Sequence, residues 1–388
     1  MKKYSLVKNT ISIKEIIKLS SWLKRNRQLT KGKLTETFEK KFSKFVNKKY
    51  SVFVNSGSSA NLLMLYSLLE VGKLKNKKAV IAGVSWATTV APFMQLNFDI
   101  SLCDCDKINL GIDLKHFEYL CKKNNPSVAV IVNVLGHTNN IKKITQICKK
   151  YNVILLEDSC GSLGTIIDSK KQNSSAKATS YSFYYGHHMS TIEGGMVTTD
   201  DYNLYNIMLS VRSHGWIRDL KNKFKKKLLN KYKVDEFRNL YTFYYAGYNF
   251  RSTEINAFLG LGQLKNIRIN SKIRNGNFNY YKKILNNFWF QHSDVKLLSS
   301  FAYGTIVKNP LETYKYLKKF NIETRPLICG NIGRHPFWVK RFKKSKLKNA
   351  DIIHDYGIYL PNHQNMTVHD IKYICKKFLE IAKPKIFV

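Results

Sequence analysis

Four segments of this 388-residue chain hold residue types at spacings that can do chemistry. Asn55-Ser56-Gly57-Ser58-Ser59-Ala60-Asn61 follows the apolar run YSVFVN and opens a helical pattern. Backbone N–H groups and the Ser58 and Ser59 hydroxyls can therefore converge on an anion at the positive end of a helix. Small residues before helices are common, so alone the segment is more often a plain turn. Asp158 ends the buried run NVILLED, and ligands of parallel sheets gather at the carboxyl ends of strands; its bland reading is a helix cap. His187 and His188 stand in SFYYGHHMSTIEGGM, where an imidazole can move protons near neutral pH. An arbitrary histidine pair is more often a satisfied surface or core pair. Arg218, in RSHGWIR, offers a guanidinium that pairs bidentately with carboxylate or phosphate, and is otherwise one surface arginine among many.

The elements that must position these groups show in the alternation of short apolar runs with helical ones beyond residue 50, which predicts an α/β fold with a largely parallel sheet. Tyr50 to Asn55 leads into a helix at Ser58 to Leu69, Lys78 to Ala82 into one at Ala87 to Leu96, and Ser127 to Val134 into one at Ile141 to Lys150. Asn152 to Asp158, Thr179 to Tyr184 and Gly195 to Thr199 read as further strands, the last two flanking the His187 loop. A single long helix is expected from Thr253 to about Leu285, then mixed short elements ending in a helix over Thr367 to Ala382. The first forty-five residues read as two helices. This divides the chain into a large unit over 1–265 and a smaller one over 266–388.

Five ordered motifs, from about residue 30 to the C-terminus, resemble the DegT/DnrJ/EryC1/StrS family of sugar aminotransferases. The resemblance implies an aspartate-aminotransferase-like fold, fold type I of the pyridoxal-phosphate enzymes, with a mostly parallel seven-stranded sheet and a small C-terminal domain. It gives Ser58, Ser59 and Ser182 to the cofactor phosphate, Trp86 of VSWATT to the pyridine face, and Asp158 to the pyridine nitrogen. In Gly247-Tyr248-Asn249-Phe250-Arg251 it sends Asn249 to the phosphate of a second subunit, hence a homodimer with shared sites. His214 and Arg218 are assigned to substrate. In the family the position of His187 is a lysine to which the cofactor is covalently attached. A histidine cannot take that bond, and no lysine lies between Lys177 and Lys221 to replace it. Family members with histidine there are 3-dehydratases of nucleotide-linked 4-keto-6-deoxyhexoses, one GDP-linked and serving the colitose pathway of lipopolysaccharide O-antigen, one CDP-linked. They work with pyridoxamine 5'-phosphate, interconverted with pyridoxal 5'-phosphate, and His187 is implied as the base. The CDP-linked enzyme holds an iron–sulfur cluster through four cysteines. Here only Cys329 and Cys375 follow His187, and Cys103 and Cys105 read as strand residues, so no cluster is expected and the GDP-linked substrate, with glutamate as amino donor, is favoured. One departure is Gly161, where the family's aminotransferases often carry a polar or histidine side chain three residues after the aspartate.

Composition narrows the alternatives. With 44% hydrophobic residues the chain can bury a large core, and no run of eighteen apolar residues or cleavable leader is seen, so a cytoplasmic protein away from the membrane is expected. Seven scattered cysteines fit free thiols in a reducing compartment. A net charge of +39 prompts the thought of nucleic acid, but the lysines are spread through nearly every segment and no nucleic-acid-binding motif accompanies them. Lys221-Asn222-Lys223-Phe224-Lys225-Lys226-Lys227 reads as a solvated loop or helix face. Two rival readings are an aminotransferase with histidine as its base and a cofactor-binding protein that is catalytically silent.

Overall fold

The computed structural model describes residues 2–25, 28–167 and 175–387. Two N-terminal helices, α1 (Ile13–Leu23) and α2 (Lys33–Phe45), precede the alternating region. There follow β1 (Tyr50–Val54), α3 (Gly57–Glu70), β2 (Lys78–Ala82), α4 (Ala87–Gln95), β3 (Asp99–Cys103), α5 (Leu114–Asn124), β4 (Val128–Val132), α6 (Ile141–Lys150) and β5 (Ile154–Asp158). Then come β6 (Ala178–Ser182), β7 (Gly195–Thr199), α7 (Tyr202–Arg212) and α8 (Asn222–Tyr232), the last being the lysine-rich segment as a helix. The seven strands form one sheet in the order β1-β7-β6-β5-β4-β2-β3. Only β7 runs against its neighbours, so the sheet is mostly parallel as expected.

The strands read as continuous apolar runs because helices cover both faces. Along β4, Val128 and Val130 join the core beneath α3, α4 and α7, while Ala129 and Ile131 join the opposite core beneath α5 and α6. Cys103 ends β3, and Cys105 forms an isolated bridge to Ile112. The single helix expected from Thr253 to Leu285 is instead two, α9 (Glu254–Leu264) and α10 (Ile267–Ile284). The last turn of α9 tightens, with Lys265 N–H bonding Gly262 O and Asn266 N–H bonding Gln263 O at 2.9 Å. The physical reason is that the halves serve different cores. Ala257 of α9 packs with Phe38 and Phe42 of α2, whereas Phe278 and Tyr281 of α10 pack in the C-terminal core. That core lies under the antiparallel sheet β8-β10-β9, built from β8 (Ala302–Ile306), β9 (Arg325–Pro326) and β10 (Gly357–Pro361). The helices α11 (Pro310–Lys319), α12 (Pro336–Val339), α13 (Lys348–Tyr356) and α14 (Val368–Leu379) complete the chain. The extreme N-terminus joins this late unit: Tyr4 bridges Ile322, Leu6 N–H bonds Glu323 Oε2 at 3.0 Å, and Lys2 pairs with Asp370.

Helix α2 has Gly32 as its N-cap and no side-chain cap of its own. Glu254, 5% exposed, supplies one from two hundred residues away. Its carboxylate accepts from the N–H groups of Gly32 and Leu34 at 2.8 Å and Thr35 at 2.9 Å, and from the Thr35 hydroxyl at 2.7 Å. A negative charge at a helix N-terminus is favourable, and removing it leaves buried donors unpaired. Glu254→Ala should therefore cost about 3 kcal/mol or more in chemical denaturation; a loss below about 1 kcal/mol would count against this capping role.

Candidate functional site

The carboxyl ends of β1, β2, β5 and β6 bring the sequence-predicted groups together. Ser56 caps α3, its hydroxyl accepting from Ser59 N–H at 3.0 Å. The opening of α3 sits against Ser182 at the end of β6: a methyl group on Gly57 would come within 2.6 Å of Ser182 Cβ, so only glycine permits the approach. Ser58 is exposed and donates to Thr88 Oγ1 at 3.0 Å, which links the openings of α3 and α4. Ser182 Oγ accepts from Tyr184 N–H at 3.3 Å. Hydroxyls and helix-end N–H groups thus share one corner, suited to an anion.

Asp158 is 3% exposed and held by three donors. Asn61 Nδ2 of α3 donates to its Oδ2 at 3.0 Å, Thr89 Oγ1 of α4 to the same oxygen at 2.7 Å, and Cys160 N–H to Oδ1 at 3.0 Å. Asn61 is itself fixed by Ser180 Oγ at 2.6 Å. The carboxylate is oriented before any ligand arrives. Sequence reasoning gave Asn61 and Thr89 no role, although both stand inside the motifs that flag Ser58 and Trp86. Trp86 is the N-cap residue of α4 and keeps 58% of its surface exposed, available as a stacking face.

His187 lies in the loop between β6 and β7 and is partly buried. Its Nδ1 is enclosed without a hydrogen-bond partner. Burial pushes the imidazole down to about 4, against the pull of the Asp158 carboxylate and the Ser182 backbone, while the Arg274 guanidinium adds to the depression. His187 is thus neutral at pH 7 and able to accept a proton. His188 is fully buried and bonds the Ser299 carbonyl through Nε2 at 2.7 Å. Arg274 of α10 is 2% exposed, and its Nη2 donates to Gln364 Oε1 at 3.0 Å.

The histidines make the fold acid-sensitive. Burial lowers His137 to about 3 and His187 and His363 to about 4, and takes His188 well below its ordinary value. Below the unfolded value of about 6.5 the unfolded chain binds protons that the folded chain refuses, so stability falls as pH drops from there towards 4. His137 and His188 each contribute a slope that approaches about 1.4 kcal/mol per pH unit once the unfolded chain's histidines are protonated. The melting temperature should fall steeply between pH 6.5 and 5; a flat profile there would contradict the buried neutral state.

Asn249, His214 and Arg218 form a second group. Asn249 bridges Ser213, its Oδ1 accepts from Arg251 Nε at 3.0 Å, and Arg251 Nη2 lies 3.0 Å from His214 Nε2. Asn55 N–H bonds Phe250 O at 2.9 Å, which ties this group to the end of β1 beside the serine turn. Arg218 joins this group through Trp216, whose ring lies 5.0 Å from that of His214. It donates to Leu240 O at 2.7 Å and lies over Trp216 at 4.0 Å and Tyr241 at 5.2 Å. Arg212, in the same motif, is wholly buried against Glu39 and the Phe53 carbonyl and serves the fold.

A pyridoxal-phosphate group fits this residue set: an anion corner at α3, a fixed carboxylate, an exposed indole face and a buried imidazole nitrogen without a partner. Among the described residues no three His, Cys, Asp or Glu side chains gather as a metal-binding group. No helix among them is long and apolar enough to cross a membrane.

Comparison with known proteins agrees with this geometry. The chain is 30% identical over 374 residues to GDP-4-keto-6-deoxy-D-mannose 3-dehydratase of Yersinia pseudotuberculosis, covering 93% of this chain and 94% of the relative. Among solved structures, a GDP-4-keto-6-deoxymannose-3-dehydratase variant with bound GDP-perosamine matches with a TM-score of 0.88 and 28% identity, over 97% of this chain and 100% of the other. The same enzyme with a trapped PLP-glutamate geminal diamine matches with a TM-score of 0.87 and 27% identity, again over 97% and 100%. Residues 10–379 match the DegT/DnrJ/EryC1/StrS aminotransferase family, and the chain belongs to that family.

Proposed function

We propose that this chain is a 3-dehydratase that removes the C-3 hydroxyl of GDP-4-keto-6-deoxy-D-mannose, giving GDP-4-keto-3,6-dideoxy-D-mannose, with glutamate regenerating pyridoxamine 5'-phosphate. The observation that carries the reading is His187: a neutral imidazole beside Ser182 and under the influence of Asp158, in a stretch without lysine from Lys177 to Lys221. The cofactor, when bound, supplies an amine for the keto group and a ring that accepts electrons. Asp158, already oriented by Asn61 and Thr89, holds the proton on the pyridine nitrogen. Ser58, Ser59 and Ser182 bind the phosphate, and Trp86 covers the ring face. His187 moves the proton at the cofactor's C-4′ carbon in both the sugar and the glutamate half of the cycle.

The same reading includes a homodimer in which Asn249 reaches the phosphate of the second copy, and His214 and Arg218 meet the substrate's charged groups. It is supported by an exposed apolar cluster, Phe237 at 80%, Tyr241 at 74% and Phe243 at 55%, beside Arg218. The division at residue 265 is part of the proposal too, with the N-terminal residues reaching across to the smaller unit.

The test incubates the protein with pyridoxal phosphate, glutamate and GDP-4-keto-6-deoxymannose. Loss of one oxygen from the nucleotide sugar, with 2-oxoglutarate and ammonia released together, supports the dehydratase. Replacement of the keto oxygen by an amine, without ammonia, establishes a transaminase instead.

A further inference from the structure

His187 and His188 share one aromatic neighbour that sequence order hides. The Phe301 ring lies 5.6 Å from each imidazole, tilted 31° to His187 and nearly perpendicular, at 68°, to His188. It belongs to the segment leading into β8. Two residues earlier, Ser299 accepts from His188 Nε2, and its hydroxyl takes a 3.0 Å bond from Ser271 of α10. Asn362 Nδ2 donates to Ser300 O at 3.0 Å and to Arg274 O at 3.1 Å, locking the segment to the same helix. The ring also neighbours Gly161, three residues after Asp158. A methyl group there would stand 3.7 Å from Phe301 Cε1 and 3.3 Å from Asn133 O. A side chain at 161 larger than a methyl group would meet the 133–135 backbone and this ring together.

We infer that Phe301 is a positioning residue for the base: packed beside both histidines and next to bare Gly161, it sets the orientation of the His187 ring and shields it from water. The role rests on the assignment of His187 above. Aromatic pairs at such separations have preferred geometries, so the ring restrains the imidazole more sharply than an aliphatic group of similar size. The other groups acting on His187 come from different elements: Asp158 from β5, Arg274 from α10, and Tyr184, at 6.0 Å, and His188 from its own loop. Phe301 is the apolar wall among them. Opening that wall admits water and lifts the depression that burial imposes.

The test uses Phe301→Ala and Phe301→Leu in the cofactor-loaded enzyme. In Phe301→Ala, kcat for dehydration should fall by up to about a hundredfold, the cost of misplacing a reacting group by an ångström, with KM for the nucleotide sugar within about twofold. The acidic limb of the kcat profile should move to higher pH, and the His187 signal in histidine-labelled NMR should titrate at correspondingly higher pH. Phe301→Leu should recover part of kcat and of the low titration. An unchanged His187 titration in folded Phe301→Ala, or a change confined to KM, overturns the positioning role whatever the reaction is. A shifted titration in a protein that carries out no dehydration upholds Phe301 and overturns the dehydratase reading alone. If Phe301→Ala does not fold, Phe301→Leu carries the same two readouts.

Discussion

Replacing His187 by asparagine should lower dehydration by about a thousandfold, the middle of the range for a positioned general base. Asparagine keeps the size and polarity of the site but cannot take up a proton, so the loss should appear in kcat, with cofactor affinity largely kept. The glutamate half-reaction, followed by cofactor absorbance with no sugar present, should slow by a similar factor, because the same group serves both halves. A variant that turns over within tenfold of the parent would sink His187 as the base. His187→Lys offers a complementary result. A primary amine at this position can bind the aldehyde covalently, so the purified protein should be coloured and retain cofactor through dialysis, while dehydration is lost.

The second large effect is expected at Asp158. Asp158→Asn preserves shape but removes the charge that holds the pyridine nitrogen protonated, and loss of one preorganised electrostatic group of this kind typically costs about a hundredfold to a thousandfold. The neighbours should divide the effect in order of contact. Thr89→Val deletes the hydroxyl that donates to Asp158 Oδ2 at 2.7 Å while keeping the volume, and should cost about tenfold in kcat. Asn61→Ala should cost more, since it also strips Ser180 Oγ of its 2.6 Å acceptor inside the core. If Asp158→Asn kept full activity, the orienting network would have to be assigned to folding instead.

What the sequence discloses and what it hides divide along the range of the interactions. Strands such as NVILLED and the turn at Asn55 to Asn61 are legible because apolar runs and small residues are local signals, and they locate Asp158, Ser58 and Ser59 within a residue or two. The partners that complete the site are not local. Phe301 reaches His187 from more than a hundred residues away, and Arg274 acts on the histidines from a helix whose own periodicity marks it only as amphipathic. The break after Leu264 was illegible for a related reason: α9 and α10 are both good helical sequences, and only the existence of two separate cores forces them apart. Nothing in the sequence separates Glu254 from an ordinary acid at a helix start, yet its carboxylate is consumed by another helix's opening.

The placement of the N-terminus has a consequence for how the molecule is made. Lys2 to Leu6 find their partners at Ile322, Glu323 and Asp370, more than three hundred residues later in the chain. Strand β1 cannot pair until β7 exists, and α2 waits for Glu254. Neither β1 nor α2 can therefore complete its pairing as soon as it is made. Phe38, Phe42 and Phe53 therefore stay unburied until their core partners, from Phe183 to Ile267, have been made. Nascent chains stalled before residue 250 should thus be far better chaperone substrates than the finished protein.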